Sequence, residues 1–86
     1  MVEIKFELEQ NRAIAIENDN IIGQCVYIEN DNTWNIITTK VSDLYQGQGI
    51  ARKLVDCVID KALENNLKVI ADCSYADKIL EKRNLK

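Results

Sequence analysis

The sequence predicts an α+β fold built on a mixed sheet, with elements in the order β-β-β-β-α-β-α. Three observations carry that prediction. Residues 2–9 alternate apolar and polar side chains with a period of two, and β-branched runs follow as far as residue 41, interrupted by two acid-and-amide clusters. After Gly49 the apolar spacing changes to about 3.6 residues. A short β-branched run and a second amphipathic stretch then close the chain.

The elements follow in order. Val2, Ile4, Phe6 and Leu8 alternate with Glu3, Lys5, Glu7 and Glu9, the pattern of a half-buried strand over 2–9. "RAIAIE" (12–17) continues as a second strand. "IENDN" occurs at 16–20 and again at 28–32. Asn and Asp tolerate left-handed backbone and bond their own main chain, so both copies predict hairpin turns. A calcium loop is the sharper alternative, but no twelve-residue ligand pattern surrounds either copy. "IIGQCVYIE" (21–29) and "TWNIITTKV" (33–41) are rich in β-branched and aromatic residues and complete an antiparallel meander. Cys25 and Trp34 are expected to pack on the sheet.

Ile50, Leu54, Val58 and Ala62 fall on one helical stripe, widened by Ala51, Val55 and Ile59, over about 50–65. Arg52, Asp56, Asp60 and Glu64 face away, Cys57 lies at the stripe's edge, and Asn65-Asn66 ends the helix. "LKVIAD" (67–72) is a fifth strand, parallel to the fourth through a right-handed crossover. "SYADKILEKRN" (74–84) is a short helix with Ala76, Ile79 and Leu80 inward and Lys78, Lys82 and Arg83 outward. Asn84 caps it, since Asn accepts the left-handed conformation needed there.

Composition excludes more than it selects. A chain of 86 residues with 47% apolar and 29% charged side chains is expected to be one small domain, residues 1–86. The net charge of −3 argues against a general nucleic-acid binder. Charged residues at 3, 5, 7, 9 and 12 exclude a signal peptide or membrane span there, so a cytoplasmic protein with no membrane partner is the default expectation. Cys25, Cys57 and Cys73 are odd in number and form no CxxC pair, against both a disulfide scaffold and structural zinc. No metal is expected. With no histidine, Ser-His-Asp and Cys-His catalysis are excluded too.

"YQGQGIARKLV" (45–55) carries the chemistry. A strand, a glycine loop and a helix N-terminus together make a seat for an anion. No Lys-Ser or Lys-Thr follows for a Walker loop, and the third Gly of the dinucleotide fingerprint is missing. A bare turn and an anion seat both stay open on these residues alone.

The wider stretch "VSDLYQGQGIA" (41–51) resembles the acetyl-CoA signature of the GCN5-related N-acetyltransferases. In that signature a strand-ending Val precedes Arg/Gln-x-x-Gly-x-Gly/Ala, positions held here by Val41, Gln46, Gly49 and Ala51. "ADKILEKRNL" (76–85) is similar to the family's "AxxLYEKxGF" segment, with Asn84 where Gly would cap the helix. Thr39–Val41, Gly47–Ala51 and Cys73–Tyr75 look most like the small YjdJ-like branch, which lacks the helix pair that larger relatives place between the first two strands. The resemblance covers about 20–86.

It implies an N-acetyltransferase taking acetyl-CoA as donor, its pyrophosphate on the backbone N–H groups of Gln46, Gly47, Gln48, Gly49, Ile50 and Ala51. It implies a fourth strand splayed from the fifth, with main chain at Thr39 and Val41 free to pair with the pantetheine arm and stabilise an oxyanion. Arg52 and Lys53 are candidate phosphate screens. The Tyr that protonates CoA in many larger relatives is Leu80 here. Cys73, between the fifth strand and the last helix, is the candidate acid or nucleophile, where the helix dipole favours a thiolate. Its alternative is an inert packing residue. Tyr75 and Tyr45 are weaker acid candidates, and Asp72 or water is the candidate base. A short domain leaves its acceptor side open, for a small-molecule, protein or peptide amine, or for a second copy to complete as a homodimer. Two other readings stay open: a catalytically silent CoA-binding or protein-interaction module of the same fold, and an unrelated nucleotide-phosphate binder.

Overall fold

The structure, a computed structural model, describes residues 1–86. Strands β1 (Glu3–Glu7), β2 (Arg12–Glu17), β3 (Asn20–Asn30) and β4 (Thr33–Val41) form an antiparallel meander. Helix α1 (Ile50–Glu64), strand β5 (Lys68–Ala71) and helix α2 (Ser74–Lys82) follow. The sheet order is β1-β2-β3-β4-β5, with β5 parallel to β4. This is the predicted order and the predicted mixed sheet.

Turn chemistry sets the hairpins. Asn18 and Asp19 both sit at positive φ (52° and 65°), the pair of left-handed residues whose twist suits a two-residue hairpin. Asp31 (φ 56°) serves the β3–β4 turn. After each helix an Asn takes the left-handed position, Asn66 and Asn84 at φ 59°. Beyond them Leu67 N–H donates to the Ala62 carbonyl and Leu85 N–H to the Leu80 carbonyl, which satisfies helix-end acceptors.

The first strand is shorter than its alternation predicts. Leu8–Gln10 forms a 3-10 turn closed by Asn11 at φ 54°, and Leu8 is left exposed rather than inward. Asn11 accepts the left-handed conformation that stops the ladder, and its carbonyl receives Tyr27 N–H as β2 begins.

One sheet face meets α1. Ala13, Ala15, Cys25, Tyr27, Trp34 and Ile36 pack on Ile50, Leu54, Val55, Val58, Ile59 and Ala62, and α2 adds Ala76, Ile79 and Leu80. Each large aliphatic so buried contributes about 1.5–3 kcal/mol. The helix comes close at Gly23. A Cβ there would lie 3.1 Å from the Lys40 carbonyl oxygen and 3.2 Å from Leu54 Cδ1. At the other end Phe6, Tyr27 and Trp34 stack, with Tyr27 and Trp34 centroids 4.0 Å apart. Burying Tyr27 leaves its hydroxyl without a partner.

Arg83 does not face outward as its position in the helical pattern predicts. Its guanidinium donates to Asp56 (3.1 Å) and Asp60 (2.8 Å), tying the end of α2 to the polar face of α1. No helix is long and apolar enough to cross a membrane.

Candidate functional site

Strands β4 and β5 pair only from Thr33–Lys68 to Ile36–Ala71. There the Ile36 carbonyl accepts both Asp72 N–H and Cys73 N–H, each at 3.0 Å, and the chain turns away into α2. The β3–β4 register shifts between Val26 and Tyr27, so Ile37 is an extra residue on β4. Beyond that bulge β4 keeps its partner β3 and has none on the β5 side. The two parallel strands are splayed, as expected.

The alternation of the antiparallel ladder decides which main-chain groups face the gap. Ser42 N–H donates to the Ile22 carbonyl, so the Gln24–Lys40 and Val26–Thr38 pairs carry the cross-strand bonds. Tyr27 N–H points to the β2 side, in agreement. Thr39 and Val41 have the opposite phase, and their N–H and C=O groups point into the gap. Both are positions singled out in the sequence.

The loop after β4 is held by its own side chain and a 3-10 turn, Asp43–Tyr45. Gln46 Nε2 donates to the Val41 carbonyl at 2.9 Å, folding the loop back on the strand end. Gln46 N–H donates to the Asp43 carbonyl, so the series of free donors starts one residue later. Gly47 and Gly49 lie at φ 78° and 76°, with nothing within 4 Å of an added Cβ. Conformation, not space, requires glycine at both.

Gly49 is the α1 N-cap and supplies no side-chain cap, and the first helical bond runs from Lys53 N–H to its carbonyl. Gly47, Gln48, Gly49, Ile50, Ala51 and Arg52 therefore present N–H groups that no protein acceptor uses. Four of them, Gly47, Gly49, Ile50 and Ala51, line a cavity of about 240 Å³ together with Val41, Tyr45, Gln46 and Tyr75. Unpaired helix-start donors around a concave site, with the positive end of the α1 dipole behind them, favour an anion. Tyr75 brings the first turn of α2 to this cavity. Sequence spacing gave no sign of that contact.

A larger depression of about 510 Å³ shares Val41 with the cavity. Of its two cations, Arg12 and Lys40, Arg12 is already paired with Glu7 (2.7 Å) and Gln24 (2.8 Å). Arg52 is likewise engaged, with Asp56 at 3.2 Å, which leaves Lys53 as the exposed cation at the helix start.

Cys73 is the α2 N-cap residue and is partly exposed. Its S–H donates to Thr39 Oγ1 at 3.7 Å, and the Thr39 hydroxyl donates to Cys25 Sγ at 3.6 Å. Burial pushes the Cys25 thiol up to about 11, partly offset by the Thr39 hydrogen bond. Burial also raises the Cys57 thiol, at the edge of the α1 stripe. Asp72 is fixed by a reciprocal pair with Asn35: Asn35 Nδ2 donates to its carboxylate (3.0 Å) and its N–H donates to Asn35 Oδ1 (2.9 Å). Leu80 is 1% exposed and sealed in the core.

A splayed parallel pair, a glycine loop of free donors and a helix start lie together at one end of a mixed sheet. The chain belongs to the GCN5-related N-acetyltransferase family, whose sequence model matches residues 5–85. Among solved structures, a GCN5-like candidate N-acetyltransferase from Staphylococcus aureus is 39% identical, with a TM-score of 0.72 over 95% of this chain and 80% of that one. A GNAT-family acetyltransferase from Elizabethkingia anophelis with acetyl-CoA bound is 26% identical, TM-score 0.66, over 90% of this chain and 57% of that one. An acetyltransferase of the same family from Staphylococcus aureus Mu50 is 28% identical, TM-score 0.64, over 74% and 43%. The chain spans about half the length of these last two. No curated protein matches it.

Proposed function

We propose that this protein binds acetyl-CoA and transfers its acetyl group to an amine, as one domain of the short YjdJ-like kind. The observation that carries this is the run of free N–H groups from Gly47 to Arg52 beside the free main-chain edge of β4. The loop donors hold the pyrophosphate, and the positive end of α1 adds to the attraction. The N–H and C=O groups of Thr39 and the N–H of Val41 pair with the amides of the pantetheine arm, while the Val41 carbonyl stays with Gln46. A main-chain N–H on that edge stabilises the oxyanion as the amine attacks the thioester.

The N–C bond forms, the C–S bond breaks, and the CoA thiolate must be protonated. Cys73 is the group for that step, because Leu80 has no proton to give and no access to solvent. As acid it gives its proton to CoA and recovers one, through solvent, from the acylated ammonium. As nucleophile it carries the acetyl group as a thioester before the amine takes it. Asp72 is held by Asn35 and remains an acceptor for the amine's proton. The acceptor is an amine reached from the open side of the domain.

Thermal shift with acetyl-CoA, free CoA and ATP tests binding. Stabilisation by ATP alone would overturn the proposal. Release of free CoA with a panel of amines tests turnover. Cys73→Ala is expected to lower that release by about 10²-fold or more while the acetyl-CoA shift persists. Unchanged release would remove Cys73 from the mechanism. The second reading is a CoA-binding module without catalysis, favoured by the apolar Leu80. Binding without CoA release on any amine would select it.

A further inference from the structure

We propose that the Thr39 hydroxyl is a positioning group for Cys73, anchored from behind by the buried thiol of Cys25. The inference rests on Cys73 acting in acetyl transfer, but its geometry stands apart from that role. Three side chains from β3, β4 and the start of α2 meet at one oxygen. Thr39 Oγ1 lies 3.7 Å from Cys73 Sγ and 3.6 Å from Cys25 Sγ. Sulfur's size makes both distances hydrogen-bonding ones, and nothing else competes for that hydroxyl.

The arrangement serves both protonation states of Cys73. While Cys73 holds its proton, its S–H donates to Thr39, and the Thr39 O–H donates to Cys25. When Cys73 has given its proton away, the Thr39 O–H turns to the Cys73 thiolate. The Cys25 S–H then turns to donate to Thr39 Oγ1. No proton changes owner among the three groups; only the direction of the two hydrogen bonds reverses. That reversal needs an inner partner that stays protonated, and Cys25 is fully buried, where an anion is costly. Thr39 thus does two unrelated things on one residue. Its main chain faces the gap for the cofactor, and its side chain faces the sulfurs.

The test is alkylation of the full-length protein by iodoacetamide, with labelling at Cys73 read by peptide mass spectrometry. This readout needs no acetyl transfer. Thr39→Val keeps the side-chain shape and removes the hydroxyl, and is expected to slow Cys73 alkylation about three- to tenfold, because the thiolate loses a stronger hydrogen bond than the thiol and the rise in nucleophilicity offsets only part of that. Thr39→Ser is expected to restore the rate to within about twofold. Thr39→Ala is the second variant, and it also opens space. It slows alkylation if the hydroxyl stabilises the thiolate and speeds it if Thr39 only shields the sulfur. In turnover, Thr39→Val lowers kcat while the KM for acetyl-CoA stays the same. An unchanged or faster alkylation in the valine variant overturns the proposal. If Cys73→Ala keeps full turnover, the catalytic role of Cys73 fails, and the alkylation result still decides the role of Thr39.

Discussion

The anion loop and the sulfur cluster begin two residues apart on β4, at Val41 and Thr39, yet they are built by opposite means. The loop is made of main chain: N–H groups from Gly47 to Arg52, two glycines at positive φ, and one tethering amide from Gln46. Its shape depends on local conformation, and most of its side chains are exchangeable. The cluster is made of side chains from three separate elements, spaced 14 and 34 residues apart in sequence. Each member has one atom that cannot be replaced and a conformation that many residues share. On the proposed function, binding is vulnerable through φ and chemistry through single heteroatoms.

The largest effect separating the two regions is expected at alkaline pH. The Cys25 thiol titrates near 11 in the folded protein against an ordinary 9.0, because burial disfavours the thiolate. Its contribution to stability is whole below pH 9 and is lost as pH rises from 9 to about 11. Two pKa units correspond to roughly 2–3 kcal/mol. Burial also raises the Cys57 and Tyr27 groups, so they add to the same alkaline loss. Denaturant titrations of wild type and Cys25→Ala isolate the Cys25 part. The neutral-pH gap between them, set by the cavity, is expected to narrow across that window. A constant gap would mean that Cys25 is not sealed by the fold.

A smaller effect is expected at the loop. Gly49→Val forces a β-branched residue to φ 76° in open space, a conformational cost of about 1–3 kcal/mol. Acetyl-CoA affinity by calorimetry is expected to fall tenfold to a hundredfold, or ~1.4–2.8 kcal/mol. Gly49→Asn is expected to lose much less, because Asn tolerates the left-handed region. Equal losses would show that side-chain bulk, not φ, governs the loop, and the contrast between the regions would collapse.

The smallest effect concerns the one side chain on which the loop depends. Gln46→Ala removes the 2.9 Å bond to the Val41 carbonyl. At an exposed site that is worth about 0.5–1 kcal/mol, or a few-fold in acetyl-CoA affinity. Loss as large as that of Gly49→Val would make the loop a side-chain device after all.

Much of the fold was legible because its determinants are local. The RAIAIE and TWNIITTKV strands span the runs read from the sequence, Arg12–Glu17 and Thr33–Val41. Asn18, Asp19 and Asp31 take the left-handed turn positions they favour, and Asn66 and Asn84 close their helices. Leu8 faces solvent, against its alternation, because a period-two pattern contains no signal for a 3-10 turn ended by Asn11. Arg83 turns to α1, against its helical spacing, because that spacing describes one helix whereas its carboxylate partners lie on another. Of the site, the glycine loop was visible as residue type and spacing, and Thr39 and Val41 came through the family resemblance.

By itself, the sequence determined the order of elements, the turns and the presence of a glycine loop of donors, expected at 46–51, whereas the structure sets the free series at 47–52 because Gln46 N–H is taken by the Asp43 carbonyl. Those properties depend on φ preferences and hydrogen bonds spanning a few residues. Only the tertiary structure decided which oxygen Cys73 meets, which thiol stands behind it, and that Tyr75 borders the loop cavity. Those contacts arise where β5 parts from β4 after Ile36, a divergence set by sheet register and by the packing of α1 and α2. No local spacing encodes it.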